Sequence, residues 1–338
     1  MLYYNKLLYY NIFMINRIQT YILALLFGFI SLISSANADV KVVTSIKPIH
    51  SLVSYIMDGI GKPDVIVDGY NSPHNFSLKP SHAKMLQNAD LVIWIGEDLE
   101  NFLEKPLNTI AKKAKNIEIM DLKGIKKFAF REKNIFDEHD DHKEHDDHKE
   151  HDDHKEHDDH KEHDDHKGHN HGEHDPHLWL DPMNAKVIVK EITKELIKLD
   201  SSNSSIYKSN SNKALAELDK LIKDIKNDLN KDLRFVVFHD AYQYFENRFG
   251  IQVLGALTIN PDIKPGAEQL SEIREVIEHE KVNCLFSEPQ FNPAIIKSIA
   301  KDTNVKTGIL DPLGAKLDKG KNLYFNLLKD MSSSFKGC

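Results

Sequence analysis

Histidine dominates the chemistry available to this sequence, with 19 among 338 residues. Neutral imidazole is a ligand for zinc and its neighbours, whereas manganese and magnesium favour oxygen. The histidines fall into two populations. Ten of them (His139, His142, His145, His148, His151, His154, His157, His160, His163 and His166) lie in five perfect copies of Glu-His-Asp-Asp-His-Lys from Glu138 to Lys167. His169, His171, His174 and His177 follow at once, while His50, His74, His82, His239 and His279 are scattered through sequence of ordinary composition. The array up to His174 offers many equivalent arrangements of imidazole beside carboxylate. Such sites are weak and exchangeable, and their density raises the local metal concentration. Three of the remaining histidines have a different character. His74, in Tyr70-Asn71-Ser72-Pro73-His74-Asn75, follows a strand pattern, His239 follows Phe235–Phe238, and His177 stands where composition returns to normal, next to Trp179. Open α/β sheets bind ligands outside the carboxyl ends of their strands, so imidazoles at these positions form a candidate zinc site. Spacing alone does not establish that they converge.

The elements that must position them alternate. Val40–Ser45, Pro63–Asp68 and Leu91–Ile95 read as short apolar strands, and helical spacing over Ser51–Asp58 and Ser81–Ala89 separates them. Helices follow over Met183–Leu199, with Pro182 suited to the first turn, and over Ile206–Leu229, with Leu215, Leu218, Leu221, Ile222 and Ile225 on one face. The alternation then resumes: strand Phe235–Phe238, helix Ala241–Phe249, helix Leu270–His279, strand Val282–Phe286, helix Pro293–Lys301 and a strand into Leu310. This pattern predicts an α/β protein with two lobes built on parallel sheets and joined by a long helix.

The formal net charge is −8, but each repeat carries three acids against one lysine, so the five copies contribute −10 and the remainder about +2. No basic field remains to hold nucleic acid. Residues 131–175 show no hydrophobic periodicity and are expected to form a mobile loop. At the N-terminus, Lys6 and Arg17 precede an apolar run of 13 residues, Tyr21–Ile33, closed by Ala36-Asn37-Ala38. The run falls short of the ~20 residues that span a bilayer and predicts a cleavable export signal over residues 1–38, with Met14 an alternative start. No cysteine stands directly after the apolar run. The two present, Cys284 and Cys338, can pair in an oxidising compartment, tying the last residue to a strand.

Several segments resemble the periplasmic zinc-uptake substrate-binding proteins of ATP-driven (ABC) transporters, the metal-binding cluster A-I. They are Pro73-His74-Asn75-Phe76-Ser77-Leu78-Lys79-Pro80-Ser81, Gln87-Asn88-Ala89-Asp90-Leu91-Val92, His177-Leu178-Trp179-Leu180-Asp181-Pro182, and Phe238-His239-Asp240-Ala241-Tyr242-Gln243-Tyr244-Phe245. Further matches are Asn260-Pro261-Asp262-Ile263-Lys264-Pro265-Gly266, Glu288-Pro289-Gln290-Phe291 and Leu310-Asp311-Pro312-Leu313-Gly314, in family order along the chain. The resemblance implies two pseudo-symmetric lobes joined by a single long rigid helix. It also implies Zn(II) held by His74, His177 and His239 in the cleft between the lobes, and a His-rich loop before the second ligand. The expected organisation is a signal at 1–38, a first lobe at 39–200 containing the loop, a linking helix at 201–231 and a second lobe at 232–338. The implied partner is a membrane permease, and the expected protein is a periplasmic, monomeric carrier and not an enzyme.

Zinc-binding members often carry an acid directly before the first histidine, where this chain has Pro73. Water, Asp311 or a loop histidine is left to complete the tetrahedron, water first. Glu288 is expected to orient an imidazole. His50, His82 and His279 match no ligand position. A zinc hydrolase is disfavoured because the chain has neither an HExxH helix nor a Gly-x-Ser-x-Gly elbow.

Overall fold

A computed structural model describes residues 39–136, 173–229, 232–261 and 263–338. The expected signal segment, the five repeats and His139 to His171 lie outside the described residues. Of the auxiliary histidines only His174 is inside them.

The first lobe begins with β1 (Val42–Ile46), buried at all five positions, as expected of an interior parallel strand covered on both faces. Then come α1 (Lys47–Ile56), β2 (Asp64–Val67), α2 (Pro80–Asn88), β3 (Leu91–Trp94), α3 (Glu97–Thr109) and β4 (Lys115–Glu118). All neighbouring strands pair in parallel, in the order β2-β1-β3-β4. Pro48 lies in the first turn of α1, where a missing N–H costs nothing, so this helix starts four residues before the periodic run that begins at Ser51.

The second lobe repeats the plan. Its elements are β5 (Arg234–His239), α6 (Gln243–Phe249), β6 (Gln252–Thr258), α7 (Ala267–His279), β7 (Cys284–Ser287), α8 (Ala294–Thr303) and β8 (Lys306–Ile309), with sheet order β6-β5-β7-β8. The match in strand order is the pseudo-symmetry expected from sequence. In both sheets the chain reverses its direction of growth beside the first strand, and such a switch point leaves a crevice at the strands' carboxyl ends.

Along the chain, between the two sheets, come α4 (Pro182–Leu199) and α5 (Ser204–Asp228), separated by one short 3-10 turn, Ser201–Asn203. α4 is capped by the Asp181 carboxylate, which accepts from the Met183 N–H at 2.8 Å. α5, 25 residues long, buries Leu218, Leu221 and Ile225 and packs on α4 and α1. The final helix, α9 (Leu323–Lys336), spans both lobes. At its start the Tyr324 N–H donates to Ser51 Oγ (2.9 Å), and the Tyr324 hydroxyl donates to the Trp179 carbonyl (2.6 Å). Near its end Phe335 packs on Phe235, Phe245 and Phe286, with ring centroids 4.9–5.5 Å apart. Cys338 is disulfide-bonded to Cys284 at the start of β7, with Cα atoms 5.9 Å apart, as expected from sequence. One continuous apolar core therefore runs from β1 through α4, α5 and α9 into β5, and a smaller one lies under α7 and α8 on the far face of the second sheet.

Both flanks of the loop expected at 131–175 are packed. Ile135 pairs antiparallel with Gly255 on β6, flanked by the bonds Phe136 N to Leu254 O and Ala256 N to Asn134 O, each 2.8 Å. Gly255 is required here, because a Cβ would sit 2.7 Å from the Asn134 carbonyl oxygen. At the other flank Asp175 is 1% exposed and its N–H donates to Phe128 O, while His174 bridges to Ala129. Composition marks the repeats, but the strap on either side is held by backbone pairing that composition does not encode.

Candidate metal centre

His239 is the last residue of β5, His177 stands at the N-cap of the 3-10 turn Leu178–Leu180, and His74 lies in the loop between β2 and α2. His177 and His239 are buried, and His74 is half-buried. The structure brings together the three histidines read from sequence, with one ring nitrogen of each within 4.8 Å of the others. Ring centroids are 5.4 Å apart for His74–His177, 5.6 Å for His74–His239 and 5.2 Å for His177–His239. The Nε2 atoms of His177 and His239 are 3.3 Å apart. In tetrahedral zinc with Zn–N bonds of ~2.0–2.1 Å, ligand nitrogens lie ~3.3–3.4 Å apart, so this edge is already set.

Two carboxylates fix the buried rings. Asp175 Oδ1 lies 2.8 Å from His177 Nδ1 and also accepts the His177 backbone N–H at 2.9 Å. Glu288 Oε1 lies 2.6 Å from His239 Nδ1. A carboxylate on Nδ1 places the proton there and leaves the Nε2 lone pair facing the partner ring, as in carboxylate–histidine–zinc triads. Burial, reinforced by neighbouring His239, holds the His177 pKa well below its ordinary value, so this ring is neutral and ready to ligate. Burial also lowers His239, but Glu288 together with Asp240 and Asp175 outweighs it and the net shift is upward. The Asp175 carboxyl is pushed up to about 7 by burial, against the His177 N–H and Arg131. Arg131 bonds Asp240 (2.9 Å) and, with both terminal nitrogens, Glu246 (3.1 and 2.7 Å), placing a cation behind the two ligand-bearing segments.

The rings enclose a cavity of about 10 Å³, also lined by Ser72, Pro73, Trp179, Glu288, Gln290, Phe291, Pro312 and Leu313. That is room for one small ion or water. Trp179 packs on His177 with centroids 5.3 Å apart and donates its indole N–H to Pro312 O, while Phe291 packs on His239 at 5.7 Å. Aromatic rings thus form part of the wall around the three imidazoles, beside the polar side chains of Ser72, Glu288 and Gln290.

Asp311 is not brought to the cluster. Its Oδ1 accepts from Gln290 Nε2 (2.9 Å) and Leu313 N (3.2 Å). Pro73 lines the cavity without a ligating atom. Of the other histidines, His279 is exposed at the end of α7, and His82 Nδ1 accepts the Lys79 N–H at the start of α2. His50 is buried in the first lobe, with Nε2 3.1 Å from Pro63 O, away from the cluster as its lack of a motif match implied. Asp175 and Arg131 were missed by sequence reasoning because both fall at the margins of the low-complexity run. The one available signal was an acid two residues before a candidate ligand.

Comparison with known proteins places this geometry in a family. The family described as "ZnuA: Zinc-uptake complex component A periplasmic" matches residues 42–338. The high-affinity zinc uptake system protein ZnuA of Brucella abortus (strain 2308) is 45% identical over 311 residues, covering 90% of this chain and 93% of its own. Its counterpart in Haemophilus influenzae is 42% identical over 325 residues, covering 90% and 93%. Among solved structures, a crystal structure of ZnuA is 23% identical with a TM-score of 0.69, covering 88% of this chain and 98% of that one. The laminin-binding protein Lmb of Streptococcus agalactiae is 22% identical with a TM-score of 0.67, covering 88% and 99%. Both share the fold. With a match from β1 to the last residue and relatives above 40% identity along nine-tenths of the chain, this protein belongs to the ZnuA family of zinc-uptake components.

Proposed function

We propose that the protein captures Zn(II) between His74, His177 and His239 and delivers it to the membrane permease of an ATP-driven importer. The observation that carries this reading is the 3.3 Å approach of two imidazole Nε2 atoms, each ring backed by a buried carboxylate, with a third imidazole alongside. An all-imidazole donor set selects zinc over manganese, which favours oxygen. Export through a signal at residues 1–38, a periplasmic location and action as a monomer complete the reading. In it, lobes at 39–200 and 232–338 are linked through 201–231, and the histidines from His139 to His174 collect metal weakly and feed the cleft.

A competitive zinc titration of the chain from Asp39, with Glu138 to Lys167 deleted, tests it. One tight site is expected to survive, with manganese bound far more weakly. Loss of tight binding along with the repeats would make the protein a His-rich buffer and overturn the assignment of the three cleft histidines.

A further inference from the structure

Gln290 stands between two environments. Its side chain lines the cavity shared by His74, His177 and His239. Its Nε2 donates to Asp311 Oδ1 at 2.9 Å, and because a carboxylate oxygen only accepts, this bond fixes which end of the amide is which. The other end, Oε1, is buried without a hydrogen-bond partner. A buried, unpartnered carbonyl oxygen on a residue that lines an ion-sized cavity calls for a positive partner. Asp311 lies on the opposite side of this amide. It also accepts Leu313 N at 3.2 Å, and it lines a separate cavity with Lys316 and Asp330.

We propose that Gln290 sets the fourth contact and the metal preference of the site. Its amide oxygen serves the ion, directly or through one water, and its amide nitrogen holds the Asp311 carboxylate outside the coordination sphere. The inference rests on zinc capture by the three histidines. Three imidazoles and a neutral oxygen suit a four-coordinate zinc ion. Manganese and magnesium favour carboxylate oxygens, and magnesium demands six positions. Releasing Asp311 would supply the hard, charged ligand that such ions need. Gln290 is thus a positioning residue for one carboxylate and a contact for the ion, and the two roles use opposite ends of one side chain.

The experiment uses the full exported chain and three single or double variants, each titrated competitively with Zn(II) and Mn(II) and loaded with Co(II) for visible spectroscopy. Gln290→Leu removes both roles at similar size. Gln290→Glu is isosteric, removes the donor and sets a like charge against Asp311. The expected result is a zinc-to-manganese affinity ratio at least about tenfold smaller in both, the usual scale for losing a residue that supports a metal site. The intense visible bands of four-coordinate cobalt should weaken in parallel. Adding Asp311→Asn to Gln290→Leu should move the ratio back toward wild type, because the freed carboxylate is gone. Should Gln290→Leu fail to fold, the isosteric Glu variant decides. Single variants that keep the wild-type ratio and cobalt spectrum, or a double variant that restores nothing, overturn the proposal while zinc capture stands. A wild-type chain that binds no zinc takes both readings down together.

Discussion

The two lobes share one strand order and use it differently. In the second lobe the carboxyl ends of the strands are chemically armed: β5 ends on His239, and Glu288 directly follows β7 and holds that ring. In the first lobe the matching places serve structure. The residue after β1 is Lys47, 3% exposed, whose ammonium donates to the carbonyls of Gly314 (2.7 Å), Ala315 (3.2 Å) and Leu317 (2.8 Å) across the interface. Beyond β3, the fully buried Glu100 accepts the N–H groups of Ile95 and Gly96 at 2.8 and 3.1 Å and so ties its own strand end. The first lobe contributes only His74 from its strand ends, on a loop and half-buried. At the strand ends, then, the second lobe holds its proposed ligand rigidly and the first holds its own on a loop, while the third, His177, is fixed by Asp175 just before α4, away from both sheets.

This contrast can be broken most sharply at the ligands. His239→Ala should weaken zinc binding more than about 100-fold, beyond the range of losing a supporting carboxylate, and Glu288→Gln should cost about 10–100-fold. His74→Ala should cost less than His239→Ala, because a loop and a water can compensate. Competitive titration of the three variants checks the order, and equal losses at His74 and His239 would erase the distinction between the rigid ligand and the loop-borne one.

Stability should respond where zinc affinity does not. Cys338→Ser opens a loop of 54 residues and should destabilise by about 2–4 kcal/mol in denaturant unfolding. Lys47→Met leaves three carbonyls without their cation and should cost roughly 2–4 kcal/mol. A zinc affinity that falls in step with either loss would show that the interface and the site are not separable.

The smallest effect concerns pH. Burial pushes the Glu100 carboxyl from 4.5 up to about 7, against the two N–H groups it accepts. The protonated form therefore favours the fold, so this group's contribution is complete below the unfolded value and is lost as pH rises through about 7. Between pH 6 and 8 the apo chain should lose about 1 kcal/mol from this source. Glu100→Gln should flatten that segment of the unfolding profile, and an unchanged slope would show that Glu100 is ionised throughout.

Much of the architecture was legible because interior parallel strands are short apolar runs, as in Leu91–Trp94 and Phe235–Phe238. Four elements were not. β4 reads Lys-Asn-Ile-Glu and buries only Ile117, β6 is interrupted by Gly255, α3 carries Pro106 and a kink at Glu100, and α9 contains Ser332-Ser333-Ser334. In each, tertiary contacts outweigh weak local preference. His74 and His239 were legible because strand ends and family motifs coincide there, and His177 because a family motif begins where ordinary composition returns. Asp175 and Gln290 were not assigned roles, since what each does depends on a neighbour reached only through the fold.

The packing of Trp179 against His177 has an optical consequence. The chain has two tryptophans, and the other, Trp94, ends β3 beside a separate cavity lined by acids. Trp179 packs on His177, one of the three imidazoles proposed to take the ion. On that proposal its emission should change as the cleft fills, a built-in, label-free gauge that Trp94→Phe would leave reading alone.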